Sequence, residues 1–275
     1  MQKTWFITGA SAGLGRLMTE KLLGRGDCVV ATLRRAGALD DLAIRYGDHL
    51  RIVTLDVTDT AAVRATIGDA FRAMGKIDLI VSNAGYGLFG AAEEISDAQI
   101  DRQIATNLTG SIQVIRASLP HLRNQGGGRI MQVSSKGGQI AYPNFSLYHA
   151  TKWGIEGFVE AVAQEVAPFG IEFILVEPGP TGTSFAAGMD DAVPMQVYDD
   201  TPAGAVRRGI ADGSFPIKGD AAKCVDAMIA AADAQQPALR LALGSAAYAS
   251  ITTALADRLE KIEKQREVAM SADRT

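Results

Sequence analysis

Short apolar runs alternate with helix-period stripes along most of this chain, and that alternation restricts its fold more than any other feature. Thr4–Thr8, Cys28–Leu33, Arg51–Leu55, Ile77–Val81, Arg129–Ser134, Ile171–Val176 and Ala238–Leu243 read as seven strands. After the first run, Leu14, Leu17, Met18 and Leu22 recur at helical spacing, with Gly24 and Gly26 as stop signals. Val63, Ile67, Ala70, Phe71 and Met74 form the same kind of stripe between the third and fourth runs. Strands separated by helices pair in parallel, because each crossover helix must cover a sheet face. Right-handed crossovers leave few topologies, and the simplest is a doubly wound α/β fold. The expectation is a mainly parallel seven-stranded sheet with helices on both faces.

At 275 residues with no Pro/Gly/Ser linker, the chain is expected to form one domain over 1–275. Its weakest periodicity lies between Pro178 and Asp220, a stretch read as a substrate lid at about 178–220. A C-terminal helical tail is expected at about 247–275, with Asp257–Val268 as a solvated surface helix. Lys plus Arg number 27 and Asp plus Glu 31, a balance that argues against a chain-wide nucleic-acid surface. Cys28 and Cys224 are far apart, and His49, His121 and His149 are scattered, so no metal-ligand spacing appears. The uncharged stretch Leu241–Ala256 is interrupted by Gly244, Ser245, Ser250, Thr252 and Thr253, which makes a poor membrane span. A strand begins almost at once, leaving no room for a signal peptide, and the cytoplasm is the expected compartment.

The first strand leads into Thr8-Gly9-Ala10-Ser11-Ala12-Gly13-Leu14-Gly15, just ahead of the first helix. Glycines permit a sharp turn and close approach of a pyrophosphate, while the helix start offers free N–H groups and the positive end of its dipole. Strand–helix turns also use glycine for geometry alone. The spacing is T-G-x-x-x-G-x-G, not G-x-G-x-x-G, and here the chain resembles the short-chain dehydrogenase/reductase family, in its common single-domain branch with a Rossmann fold. Further matches follow in order: Asp56 after the third strand, Ser82-Asn83-Ala84-Gly85 after the fourth, Asn107, Ser135, Tyr148, Lys152, and Pro178-Gly179 after the sixth. The likeness spans about residues 3 to 245. Ser82 departs from it, since the family more often has Asn there.

The choice of dinucleotide should be made about 20 positions past the glycine turn, beside the adenosine ribose. An NAD site would carry Asp or Glu there, but this chain reads Ala31-Thr32-Leu33-Arg34-Arg35, with no acid before Asp40. A carboxylate would repel a 2′-phosphate, whereas a guanidinium binds it by charge-assisted hydrogen bonds. NADP(H) is therefore the expected cofactor, with Arg34 first, aided by Ser11 and Arg35. Both arginines also fit ordinary solvated positions at a helix start.

Tyr148 and Lys152 stand four apart in a helix-period segment, which puts them on one face one turn apart. A free phenol has a pKa near ~10, and a neighbouring ammonium lowers it by favouring the phenolate. A surface Tyr–Lys pair would look the same, but Ser135 thirteen residues earlier ends a strand, and strand ends and helix starts border one crevice in such sheets. The resemblance implies that Tyr148 exchanges a proton with a carbonyl or alcohol oxygen that Ser135 also binds. It implies that Lys152 holds the nicotinamide ribose, and that Asn107 positions a water linking Lys152 to solvent. Matched positions place Gly9, Ser11, Ala12, Gly13, Leu14 and Gly15 at the pyrophosphate, Asp56 and Val57 at adenine, and Asn83, Ala84 and Gly85 near the adenosine ribose. Pro178, Gly179, Thr181 and Thr183 are matched to the nicotinamide end. No metal is needed for such chemistry.

Leu88, Phe89, Gln139, Tyr142, Phe145, Pro180, Phe185, Met189 and Tyr198 are the residues expected to face substrate. They are mostly apolar or aromatic, which fits a neutral, fairly hydrophobic ketone or aldehyde. The expected activity is NADPH-dependent carbonyl reduction. Two alternatives are an NADP-dependent alcohol or hydroxysteroid-type dehydrogenase working oxidatively, and a non-catalytic NADP(H)-sensing protein. Family resemblance implies a homodimer or homotetramer, built through the helices before Asn124 and after Tyr148.

Overall fold

The computed structural model describes residues 2–274. In chain order the elements are β1 (Thr4–Ile7), α1 (Gly13–Gly24), β2 (Cys28–Leu33), α2 (Asp40–Tyr46), β3 (Leu50–Thr54), α3 (Thr60–Met74), β4 (Leu79–Ser82) and β5 (Leu88–Phe89). Then come α4 (Asp97–Gln103), α5 (Ser111–Asn124), β6 (Gly128–Val133), α6 (Ser146–Val166), β7 (Ile171–Pro178) and β8 (Asp190–Asp191). The last are α7 (Pro202–Ala211), α8 (Ala221–Asp233), β9 (Arg240–Leu243), α9 (Ser245–Glu263) and α10 (Arg266–Ser271).

Seven strands form one all-parallel sheet in the order β3-β2-β1-β4-β6-β7-β9. Side chains alternate across it. In β1, Trp5 and Ile7 face one layer and Phe6 the other; Val29 and Ala31 oppose Val30 in β2, and Leu79 and Val81 oppose Ile80 in β4. The first set packs on α1, α2 and α8 through Met18, Leu22, Leu42 and Val225; the second packs on α3, α5 and α6 through Ile67, Val114 and Ile155. Because both faces are covered, the strands are continuous apolar runs, which is why they were legible as such. Successive strands run outward from β1 through β2 to β3, and from β4 in the other direction. The order therefore reverses between β1 and β4, and the crevice beyond their C-terminal ends is where a ligand fits this topology.

Caps fix several helix starts. Asp59 accepts from Ala62 N–H ahead of α3, Ser96 from Gln99 N–H ahead of α4, and Asp220 from Lys223 N–H ahead of α8. The expected strands are all present, with ends shifted by at most two residues. The stretch from Pro178 to Asp220 departs from its sequence reading, since it contains α7 and β8. Thr201 caps α7 with Pro202 in its first turn, a start signal visible in the sequence. Strand β8 pairs with β5 in parallel, Leu88 with Asp190 and Phe89 with Asp191. No helix among the described residues is long and apolar enough to cross a membrane.

Candidate active site

The turn after β1 is locked to the end of β4. Thr8 Oγ1 accepts hydrogen bonds from Asn83 N (2.9 Å) and Ala84 N (3.1 Å), while Asn83 Nδ2 donates to the carbonyls of Thr8 (2.9 Å) and Gly9 (3.0 Å). Gly9 has φ +68°, and a Cβ there would stand 2.8 Å from Ala84 Cα. A Cβ on Gly15 would overlap Gly9 O and lie 2.6 Å from Asn83 Nδ2. Both glycines are thus required by close approach of the turn to β4. Asn83, matched in sequence to a cofactor ribose, has its side chain committed to this lock. Gly15→Ala should lower stability by about 2 kcal/mol and loosen the turn, measurable as a drop in melting temperature with weaker dinucleotide binding.

Helix α1 starts without a side-chain cap: Ala12 occupies the cap position and makes no such bond. Its first-turn amides therefore have no side-chain acceptor, and they face a turn whose Ser11 and Ala12 are exposed and whose Gly13 has φ +56°. That donor set fits a pyrophosphate. At the end of β2, Arg34 and Arg35 are exposed. Asp56 lies close enough to Arg34 for the guanidinium to help hold its carboxyl below the usual range, although the largest cause is its hydrogen bond from Thr58 N–H. Val57 is buried and packs beneath Gly110. Asp41, the second acid after β2, is taken by Arg16 at 2.6 Å.

Tyr148 and Lys152 project from the first turns of α6 toward the end of β6. Ser135 is the polar side chain that acts on the Tyr148 hydroxyl, favouring its ionised form against burial, and its Oγ accepts from Gly137 N–H at 3.0 Å. Lys152 Nζ donates to Val133 O at 2.9 Å and stands 5.5 Å from the centre of the Tyr148 ring. All three side chains are buried. Burial disfavours charge, so it pushes the Tyr148 phenol well above its ordinary value and pulls Lys152 down to about 8, with Glu156 opposing the second shift. Asn107 lies in a π-helical turn over Ile104–Gly110, between α4 and α5. Its amide is bound on both sides to Tyr86, Nδ2 to the carbonyl at 2.7 Å and Oδ1 from the N–H at 3.0 Å. The side chain therefore fastens the segment after β4 at Tyr86.

An apolar cluster encloses Tyr148. Phe89 and Phe145 pack with it, joined by Tyr142, Met189, Val206 and Ile210. Phe185 sets its ring edge against Tyr148 at 5.9 Å between centroids. Gly87 makes room for this, since a Cβ there would lie 3.0 Å from both Met189 and Phe185. Thr183 and Ser184, just before Phe185, lie over Gly13: a Cβ on that glycine would sit 3.7 Å from Thr183 Cβ. The glycine turn and the Tyr148 cluster thus share one crevice. Beyond β7, Gly179 N donates to Leu243 O (2.9 Å), Thr181 Oγ1 to Gly179 O (2.9 Å), and Pro180 O accepts from Gly219 N (2.8 Å).

Four of the nine expected substrate-facing residues are placed differently. Leu88 turns to the opposite side of β5 from Phe89 and is fully buried with Ile95 and Ala192. Gln139 directs its amide into a buried carboxylate cluster, donating to Glu156 (3.2 Å) and Glu177 (3.1 Å). Tyr198 bonds Glu93 at 2.7 Å, outside the Tyr148 cluster, and half-buried Pro180 belongs to the Gly219 pairing. The acids Asp190 and Asp199 also differ from simple solvated groups: Asp190 pairs with Arg102 (2.8 Å) and Gln99 (2.9 Å), and Asp199 lies 3.4 Å from Arg207. Sequence reading missed Glu94, whose side chain is buried and receives Arg207 through two contacts of 2.6 and 2.8 Å. It also missed His149, whose Nδ1 meets Gly137 O at 2.9 Å and whose Nε2 accepts from Tyr142 N at 3.3 Å.

A doubly wound sheet with a glycine-turn cradle and a buried Ser–Tyr–Lys group in one crevice defines a nicotinamide-dependent oxidoreductase acting on CH–OH and C=O groups. The chain belongs to the short-chain dehydrogenase/reductase family, whose short chain dehydrogenase profile matches residues 3–193. It is 35% identical to oxidoreductase BOA17 of Botryotinia fuckeliana, over 99% of this chain and 100% of that one. Among solved structures, a short-chain dehydrogenase from Streptomyces avermitilis superposes with a TM-score of 0.92 at 35% identity, covering 100% of both chains. A Burkholderia cenocepacia J2315 short chain dehydrogenase, solved in complex with NADP, gives 0.76 at 26% identity over 96% of this chain and 98% of its own.

Proposed function

We propose that this enzyme reduces a neutral, fairly hydrophobic ketone or aldehyde to an alcohol, using NADPH. The observation that carries the reading is the packing of Phe89, Phe145, Phe185, Tyr142 and Met189 about Tyr148, with Ser135 as its polar neighbour. A carbonyl brought to that hydroxyl meets aromatic walls that favour an uncharged partner. When bound, the reduced nicotinamide would supply hydride to the carbonyl carbon. Tyr148 would donate its proton to the carbonyl oxygen, and burial favours the protonated phenol that this direction needs. Ser135 would hold the same oxygen and steady its developing charge. The Lys152 ammonium would stabilise the phenolate left behind and bind ribose hydroxyls, with a water at Asn107 leading to solvent.

The segment carrying Phe185 and Met189 would act as a lid. It closes over Tyr148, and Arg102–Asp190 and Arg207–Glu94 fasten it to the rest of the chain. NADP(H) preference rests on exposed Arg34 and on the absence of an acid at the end of β2. The test is to follow NADPH and NADH oxidation against ketones and aldehydes of increasing size. Turnover should favour NADPH by more than tenfold in kcat/KM, and rise with apolar substrate size. Arg34→Asp should reverse the cofactor ratio by repelling a 2′-phosphate. Preference for NADH in the wild-type enzyme, or an unchanged ratio in Arg34→Asp, would overturn the cofactor assignment.

A further inference from the structure

Behind Tyr148 and Lys152 lies a cluster of buried charge that these roles do not use. Glu156, one turn beyond Lys152 on α6, and Glu177 in β7 are each 2% exposed. Glu156 accepts from Ser134 Oγ, from Gln139 Nε2 (3.2 Å) and from Arg240 Nη1 (2.6 Å). Glu177 accepts from the same Gln139 amide and the same Arg240 nitrogen. The other side of the Arg240 guanidinium is turned to Glu160, with Nη2 at 2.7 Å. One guanidinium is thus divided between two buried carboxylates and a third on the surface.

Two buried carboxylates against one guanidinium leave a negative charge in a low-dielectric interior, which is met by a further cation or by uptake of a proton. The buried cation available to the cluster is Lys152, one turn before Glu156 on the same face of α6. The other charged groups nearby are already engaged or exposed. Arg258 of α9 donates to the Gln139 carbonyl at 2.6 Å and covers the Trp153 ring. Lys136 lies over the Tyr142 ring at 5.2 Å, and His149 has both nitrogens in backbone hydrogen bonds. From the helices packed on α6, Arg102 is paired with Asp190, His121 is stacked on Phe71, and Asp97, Asp101, Arg116 and Arg123 are exposed.

We propose that Glu156, backed by Glu177, is an electrostatic positioning residue: its buried carboxylate keeps Lys152 charged at the pH where Tyr148 works, while Ser134, Gln139 and Arg240 fix its orientation. The proposal rests on the reading that the reaction needs a cationic Lys152. It also accounts for a titration balance in which burial pulls Lys152 down and Glu156 raises it. In Glu156→Gln, Glu177 and Arg240 become a balanced pair and Lys152 is left alone in the interior. Its titration midpoint should then fall by about one pH unit.

The midpoint can be read without cofactor or substrate, by 13C NMR of lysine-labelled protein with the Lys152 signal assigned through Lys152→Met. Glu156→Gln should lower it by about one unit, Glu156→Asp should restore most of the shift, and Glu177→Gln should lower it by less. The basic limb of kcat/KM for carbonyl reduction should move with it. Glu177→Gln carries the test if Glu156→Gln does not fold. An unmoved or raised midpoint in the folded variants, or loss of kcat with an unshifted limb, would make the cluster purely structural and overturn the proposal. Failure of wild-type protein to reduce any carbonyl is a separate result, which defeats the reductase reading and leaves the NMR outcome standing.

Discussion

Tyr148→Phe should lower carbonyl turnover by about 10²- to 10⁴-fold, the range a positioned general acid contributes, while the protein folds and binds NADPH as before. The substitution removes one oxygen and leaves the ring. Its packing with Phe145 and Phe185, at 6.2 and 5.9 Å between centroids, needs no hydroxyl. Ser135 retains its hydrogen bond from Gly137 N–H, so no newly orphaned donor or acceptor offsets the retained packing. Steady-state NADPH oxidation measures the first effect, and cofactor fluorescence titration and a thermal melt measure the others. Turnover within tenfold of wild type would remove Tyr148 from the proposed mechanism. A fall in turnover accompanied by a collapsed melt would instead make the hydroxyl structural. Ser135→Ala should have a smaller effect in the same direction, because it removes a hydrogen bond to the oxygen and not the proton donor.

What could be read from sequence follows from how local each determinant is. Residues Cys28–Leu33 form a strand with the bounds expected, because a run buried on both faces must be continuously apolar. The glycine turn was equally legible, since Gly9 and Gly15 are dictated by contacts with one neighbouring strand end. Tyr148, Lys152 and Ser135 were found because helical spacing and a strand terminus place them together. Loop side chains were not legible in this way. Nothing local says that Leu88 turns inward while Phe89 turns to Tyr148, because the two-residue strand that fixes them pairs with Asp190 and Asp191, about a hundred residues away. Gln139 was misplaced for the same reason, as its partners come from α6 and β7. One local signal was present: Glu177 interrupts the apolar run Phe173–Val176, and an acid inside a strand buried on both faces needs a partner. The identity of that partner, Arg240, depends on β7 and β9 being neighbours.

Removing that partner should produce a large stability change. In Arg240→Met, the methionine retains much of the apolar stem, but Glu156 and Glu177 lose the nitrogen they share, with only Gln139 and Ser134 left as donors. Breaking a buried ion pair from one side costs about 3–5 kcal/mol, because the remaining charge stays desolvated. The low end applies here, since the Arg240 side chain is 31% exposed and water can partly replace it. At about 2–4 °C per kcal/mol for a domain of this size, the melt should fall by roughly 10 °C. The loss should also depend on pH. Burial already pushes Glu156 above the ordinary carboxylate range in the wild-type protein, with Arg240 opposing. Without the guanidinium Glu156 rises further, so the folded state holds a proton that the unfolded chain releases above about pH 4.3. Folding stability then falls as pH rises through the raised value, and the gap to wild type should be wider at pH 8 than at pH 5. Lys264→Met, which removes an exposed i,i+4 pair with Glu260, should leave the melt unchanged at both pH values. If Arg240→Met melts with the wild type at pH 8, the two carboxylates are neutralised by something other than this arginine, and the charge count that ties them to Lys152 fails with it.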